Sequence, residues 1–184
     1  MTPYKLTDES IQFNSKTLYR IELTEDCKWG KAGTKGGFIE TINNLTENAW
    51  VSDNAHVFGN AKVYGDAKVF SNAYVFGDAK VFSNAKVYGN ARVSSNAKVY
   101  GNAQVSGNAL VYGNAKVEKT SDYMTISSLG NTNRTITITF SDKMISAGCF
   151  RGTLQQFKTA VDEKYNGKGN YYPTIQYIET LFNM

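Results

Sequence analysis

Lysine recurs every eighteen residues through the middle of the chain, at Lys62, Lys80, Lys98 and Lys116. An aromatic residue follows each of the first three lysines by two positions, at Tyr64, Phe82 and Tyr100. Ammonium groups can neutralise phosphates, and aromatic rings can stack on nucleotide bases. The pattern raises the hypothesis of a binding face for a small anionic ligand, if the fold places these side chains on one surface.

Two other interpretations of the lysines stay open. They can be solvated side chains that lie along the rings and keep strand edges from aggregating. They can also contact an acidic cap or a second subunit. A further possibility is a ligand site at a subunit junction that uses Lys31, Arg134 or Arg151 from outside the repeat.

The distribution of charge favours an anionic partner. The 184-residue chain has a formal net charge of +4, and residues 48–119 alone carry 8 basic and 4 acidic side chains. In each of the two flanking segments, the numbers of basic and acidic side chains are nearly equal. The excess is too small to indicate a binder of duplex DNA, but it favours small anions over cations.

Other features narrow the class of protein. No run of 18 apolar residues exists, and the first ten residues lack the apolar core of a signal peptide, so we expect a cytoplasmic protein that does not contact membranes. Two distant cysteines and one histidine make a zinc site improbable, and we expect no cofactor. Cys149 has no histidine or cluster of cations beside it in sequence, so we expect a buried core thiol rather than a nucleophile.

The elements that position the lysines form a strict repeat. From Asn48 to Lys119 there are twelve consecutive hexapeptides that follow the form N/D-A-x-V-x-G/S without an insertion, except that the sixth residue is Asp53 in the first unit and Lys119 in the last. Alanine and valine lie two positions apart and so share one face of a short strand. Three hexapeptides make one triangular coil of a parallel β-solenoid, and four coils spaced by about 4.8 Å give a prism roughly 19 Å tall.

The corners of this prism contain Gly or Ser followed by Asn or Asp. Because Ser replaces Gly at Ser71, Ser83 and Ser95, while Asn or Asp always follows, we expect positive φ on the Asn/Asp column. Asn side chains stacked from coil to coil can also hydrogen-bond to one another.

The repeat resembles the hexapeptide-repeat proteins that fold as a left-handed parallel β-helix. Residues 30–65 and 145–161 also resemble the entry and tail segments of uncharacterised hexapeptide-repeat proteins from phages, prophages and bacteria. The resemblance implies the handedness and a phage or bacterial origin, with the host cytoplasm as location if a phage encodes the protein. It implies no established activity.

The flanking segments predict caps for the open ends of the solenoid. We assign residues 1–47 to an N-terminal β cap, 48–119 to the β-helix and 120–184 to a C-terminal α+β cap. The N-terminal cap contains a strand at 17–23, a hairpin turn or, less favoured, an anion loop at 30–37, and a degenerate thirteenth unit around Leu45.

The C-terminal cap is predicted to hold one clear strand and two helices. The strand covers residues 134–140. Thr153 and Gln156 form a capping box for the first helix. Residues 166–170 end that helix, and Pro173 opens the second.

Ten of the 24 outward positions of the repeat are aromatic, which is more than a soluble monomer usually exposes. Related β-helix proteins commonly form trimers, so we expect a homotrimer. The second side of the prism is the best candidate for the contact, with its outward row at His56, Tyr74, Arg92 and Leu110.

Three classes of function remain. A non-enzymatic binding protein that sequesters a nucleotide-type signalling ligand is favoured, and a structural scaffold is the alternative. A hexapeptide acyltransferase is the third, but such enzymes use a histidine base and a loop excursion. Here His56 is the sole histidine, it is expected to face outward, and no loop interrupts the coils.

Overall fold

The computed structural model describes residues 2–129, 134–166 and 171–183, which form a mainly β structure. The N-terminal strands are β1 (Tyr4–Phe13), β2 (Lys16–Leu23) and β3 (Lys35–Ile39), followed by a 3-10 turn at Ile42–Asn44. Twelve two-residue strands, one per hexapeptide, follow as β4 (Trp50–Val51), β5 (His56–Val57), β6 (Lys62–Val63), β7 (Lys68–Val69), β8 (Tyr74–Val75), β9 (Lys80–Val81), β10 (Lys86–Val87), β11 (Arg92–Val93), β12 (Lys98–Val99), β13 (Gln104–Val105), β14 (Leu110–Val111) and β15 (Lys116–Val117).

The twelve short strands wind into about four coils of a parallel β-solenoid, as the sequence predicts. The first side is the sheet β4-β7-β10-β13, the third is β6-β9-β12-β15, and the second contains β5, β8, β11 and β14. Paired residues are eighteen positions apart, as in Lys80 with Lys98 and Val81 with Val99. All twelve alanines and all twelve valines of the repeat are fully buried, which confirms the predicted inward register.

The corner prediction is half right. Positive φ falls on the sixth residue of the unit, at seven glycines and at Asp53, Ser71, Ser83 and Ser95, so its assignment to the Asn/Asp column is wrong. The Asn/Asp side chains instead bond between coils, as predicted: Asn60 donates to Asp78 at 3.0 Å and Asn90 to Asn108 at 3.1 Å. Serine thus occupies a left-handed position that costs a residue with a Cβ about 1–2 kcal/mol.

The N-terminal cap continues the second side of the solenoid. Strand β3 pairs in parallel with β5, and β2 and β1 add antiparallel strands, giving the order β1-β2-β3-β5-β8-β11-β14. Leu45 bridges Val63 in parallel, which confirms the degenerate unit. The residues before β3 turn the chain back, since the Gly33 N–H donates to the Leu23 carbonyl at 2.8 Å, so a hairpin turn is the better description of this segment.

The C-terminal cap has a core of its own. A 3-10 turn at Thr120–Asp122 leads into the antiparallel sheet of β16 (Tyr123–Leu129), β17 (Arg134–Thr139), β18 (Met144–Ala147) and β19 (Phe150–Thr153). Helices α1 (Leu154–Tyr165) and α2 (Tyr171–Asn183) follow.

The helix boundaries largely follow the sequence signals. The capping box is confirmed, because the Gln156 N–H donates to Thr153 Oγ1 at 3.3 Å and the Thr153 N–H donates to Gln156 Oε1 at 2.8 Å. Helix α2 begins at Tyr171, two residues before Pro173, which the first turn of a helix tolerates. The predicted break at 166–170 lies outside the described residues except for Asn166, which ends α1 with φ 46°.

Both caps supply hydrogen bonds to the open edges of the coils. At the N-terminal end, Thr2 Oγ1 donates to the Ala49 carbonyl at 3.0 Å, and Trp29 Nε1 donates to the Asn48 carbonyl at 2.7 Å. At the C-terminal end, hydroxyls accept from backbone N–H groups, as Thr137 does from Leu110 at 2.9 Å. Unpaired backbone groups at the ends of the stack would be costly and would favour aggregation.

The corner geometry predicts different effects for two substitutions in the same column, a loss of stability for Gly89→Ala and none for Ser95→Gly. Gly89 has φ 71°, and a Cβ there would lie 3.0 Å from the Gly107 nitrogen, so Gly89→Ala should lower the free energy of unfolding. We expect a loss of about 1–2 kcal/mol in urea unfolding. Ser95→Gly should not destabilise the protein, because Ser95 already has φ 59°. An unchanged Gly89→Ala variant would contradict the corner assignment.

Candidate functional site

The fold brings the four repeat lysines onto one surface. Lys62, Lys80, Lys98 and Lys116 are register partners in successive coils of the third side, and all four are exposed. Neighbouring parallel strands lie about 4.8 Å apart, so the lysine stems form a row with that spacing. We call this row the lysine face.

The aromatic residues beside the lysine face stack on one another. The rings of Tyr64 and Phe82 have centroids 4.9 Å apart and are tilted by 2°, and those of Phe82 and Tyr100 are 5.1 Å apart and tilted by 5°. The faces between these rings are therefore occupied. A ligand can reach the ring edges, but a nucleotide base cannot stack between the rings, so the predicted base stacking is restricted to the outer face of an end ring and stays a prediction.

A groove runs along the corner beside the lysine face. Its volume is about 990 Å³, and the residues that line its end nearest the N-terminal strands are Glu40, Thr41, Asn43, Asn44 and Thr46. Lys62, Lys80 and Lys98 line it together with three stacked corner side chains, Asn60, Asp78 and Asn96.

The charges in the groove leave its central lysines without an acidic partner among the described residues. Lys16, which also lines the groove, pairs with Glu40 at 2.6 Å, and the Lys16 hydrogen bond lowers the pKa of that carboxyl. Asp78 accepts a hydrogen bond from Asn60. Across residues 2–129, 134–166 and 171–183, no ion pair includes Lys62, Lys80 or Lys98. Their mutual repulsion would fall if an anion bound between them.

The other predicted ligand-binding residues lie elsewhere. Lys116 continues the row but does not line the groove. Arg134 lines a shallow depression with Arg92 on the second side. Arg151 pairs through Nη2 with Asp142 at 2.7 Å and packs over Gly113, while its buried Nη1 has no hydrogen-bond partner in the described part of the chain.

His56 points outward from its coil, as expected, but the N-terminal strands cover it and so it is not exposed. It is 8% exposed, because the N-terminal hairpin lays Phe13 on it with ring centroids 5.0 Å apart, and Phe38 and Tyr74 flank it at 5.6 and 4.9 Å. Its Nδ1 has no hydrogen-bond partner in the described part of the chain. A base in this position would not reach an acceptor in solvent, so the geometry does not favour acyl transfer.

The outward aromatic residues are less exposed than the sequence suggests. The N-terminal segment buries Trp50 and Phe58, which are 2% and 6% exposed, and the other eight are partly buried. The hairpin also covers part of the second side, where we expected a subunit contact. The homotrimer stays a prediction.

Cys149 is exposed in the turn between β18 and β19, so the expectation of a buried thiol is wrong. Gly148 precedes it with φ 62°, which fits a tight turn between the two strands. The flanking Gly and Phe in the sequence suggested a core position but also suit a turn.

The walls of the groove were missed by the sequence reasoning. Asn60, Asp78 and Asn96 were assigned only to corner hydrogen bonds, although they recur at the same spacing of eighteen as the lysines. This shared spacing was the signal in the sequence that could have placed these three side chains beside the lysines. Lys16 and Glu40 had no such signal, because they reach the groove through the pairing of the N-terminal strands.

Comparison with known families supports the repeat architecture. The model of the YdcK beta solenoid repeat family matches residues 103–118, which belong to the last coil. A search of curated proteins finds no match. Within the described residues, no helix is long and apolar enough to cross a membrane. The family match supports a β-solenoid repeat and carries no information on a ligand.

Burial of His56 predicts a pH-dependent stability. Burial lowers the pKa of the folded imidazole below the ordinary 6.5, so the unfolded chain binds the proton more readily. Stability should therefore be retained above pH 6.5 and lost as the pH falls below it, by at most about 1.4 kcal/mol per pH unit.

Urea unfolding at about pH 7.5 and about pH 5 measures this effect. His56→Phe keeps a ring in the stack and removes the titration, so its stability should depend less on pH than that of the wild type. The same pH dependence in both proteins would contradict the assignment.

Proposed function

We propose that the protein binds a small phosphorylated anion in the groove beside the lysine face and holds it without converting it. The observation that carries this proposal is a groove of about 990 Å³ with three lysines that no described acidic residue pairs. The specific form of the proposal is sequestration of a nucleotide-type signalling molecule by a phage protein.

The spacing of the cations supports a ligand with more than one negative group. Three ammonium groups in a row, with stems about 4.8 Å apart, suit a chain of phosphates better than a single small ion. Hydrogen bonds to charged groups contribute about 1.5–3 kcal/mol each, so two or three of them would give useful affinity. The amides of the corner column add polar groups on one side.

The aromatic stack supports only weak recognition of a base. Because Tyr64, Phe82 and Tyr100 cover one another, a base can contact their edges or the outer face of an end ring. We therefore place the phosphates on the lysines and expect modest discrimination among nucleotides.

A structural scaffold is the second candidate. The rigid coils and the corner ladders of Asn and Asp favour a spacer. Both ends of the solenoid carry caps that hydrogen-bond to the end coils, however, and these contacts disfavour growth of a filament by end-to-end stacking.

Calorimetry with two matched lysine variants tests the proposed site. Lys80 and Lys86 are exposed and occupy the same position of their hexapeptides, on the third and first sides. The titrants are inorganic tripolyphosphate, cyclic di- and trinucleotides and ADP-ribose. We expect Lys80→Met to weaken binding about tenfold, from the loss of one charged hydrogen bond, while Lys86→Met has little effect.

Two further outcomes are decisive. Affinity should fall as salt rises, because the site is open to solvent. No heat from any of these titrants, or equal losses in both variants, would reject the site and leave the scaffold as the better account. Equal affinity for tripolyphosphate and the nucleotides would retain the site and reject recognition of the base.

A further inference from the structure

A second cavity lies in the C-terminal cap, away from the lysine face. Its volume is about 280 Å³, and it lies between strands β17 to β19 and helices α1 and α2. Its lining includes Ala147, Phe150, Phe157 and Val161 inside and Arg134 and Lys164 at the rim. Its chemistry differs from that of the polar groove, because most of these side chains are apolar.

The inner surface of this cavity is aromatic and aliphatic. Phe157 and Val161 are each 3% exposed, and Ala147 is 6% exposed. The Phe150 ring is tilted 53° to the Phe157 ring with centroids 5.3 Å apart, so the two rings form an angled wall. Such a surface favours a planar apolar group of one or two fused rings over a sugar or a bare ion.

The mouth of the cavity carries two cations. Arg134 and Lys164 are exposed, and neither belongs to an ion pair among the described residues. Arg134 also lines the adjoining depression that contains Arg92, Asn90 and Asn108. A guanidinium can hold a phosphate or carboxylate with two parallel hydrogen bonds.

We propose that this cavity is a second ligand site, specific for an apolar ring that bears an anionic group. The ring lies against Phe157, Val161 and Phe150, and the anionic group lies at the mouth against Arg134 and Lys164. The ligand class is an aryl phosphate or an aromatic carboxylic acid. The site is independent of the lysine face, because none of its residues lines the groove.

Cys149 offers a readout that reports on this site alone. Its thiol is exposed at the cavity, whereas the partly buried Cys27 packs against the solenoid core at the other end of the chain. A ligand in the cavity should shield Cys149 from N-ethylmaleimide and leave Cys27 unaffected. Mass spectrometry measures both labelling rates in one sample.

The probe is 1-naphthyl phosphate, compared with 1-naphthol, which lacks the charge, and inorganic phosphate, which lacks the ring. We expect saturating 1-naphthyl phosphate to slow labelling of Cys149 at least fivefold and the other two compounds to slow it less than twofold. Arg134→Met should raise at least tenfold the concentration of 1-naphthyl phosphate that gives half-maximal protection. Lys164→Met, an exposed change on helix α1, provides a second test if the arginine variant fails to fold.

The proposal is overturned if 1-naphthyl phosphate gives no protection, or if it slows Cys27 as much as Cys149. It is also overturned if either comparison compound protects equally well, or if protection is unchanged in folded Arg134→Met or Lys164→Met. Lys86→Met, on the first side of the solenoid, is the control for a general loss of positive charge.

Discussion

The rest of the structure depends on the backbone hydrogen bonds between successive coils. These bonds pair each strand with the strand eighteen residues further along the chain. The Lys62 N–H donates to the Ala79 carbonyl at 2.9 Å, and the Lys80 N–H to the Ala97 carbonyl at 2.9 Å. Because each coil contains eighteen residues, equivalent side chains lie directly above one another. The valine core, the corner ladders of Asn and Asp, the ring stacks and the lysine face all follow from this register.

This register also explains why the outer surface is free to carry function. Stability comes from buried Ala and Val and from backbone pairing, so the outward positions of the third side have no required partner. The fold can therefore hold a row of like charges that a solitary helix or hairpin would disfavour. The caps make this possible, because they pair the end coils and keep the solenoid from adding further strands.

The period of six, without an insertion, was sufficient to predict the coils, the inward face and the alignment of the four lysines, because backbone geometry alone relates these features. The left-handed corner residue was misassigned, since Ser tolerates φ near 60° here while Asn is engaged in bonds between coils. The burial of His56 and the engagement of Arg151 depend on long-range packing of the caps. No local pattern reports such packing.

Two deletions test most directly whether the register of eighteen builds the anion site. Removing residues 84–89 keeps all four lysines of the face in the chain but moves Lys98 and Lys116 to another side of the solenoid. Removing residues 84–101 deletes Lys98 but places Lys116 directly above Lys80, on the original side. With both proteins shown by circular dichroism to be folded, we predict that the eighteen-residue deletion binds tripolyphosphate nearly as well as the wild type. The six-residue deletion should bind it about tenfold more weakly, as expected for one lost charged contact. Full binding by the six-residue deletion, or its loss in the eighteen-residue deletion, would contradict this account.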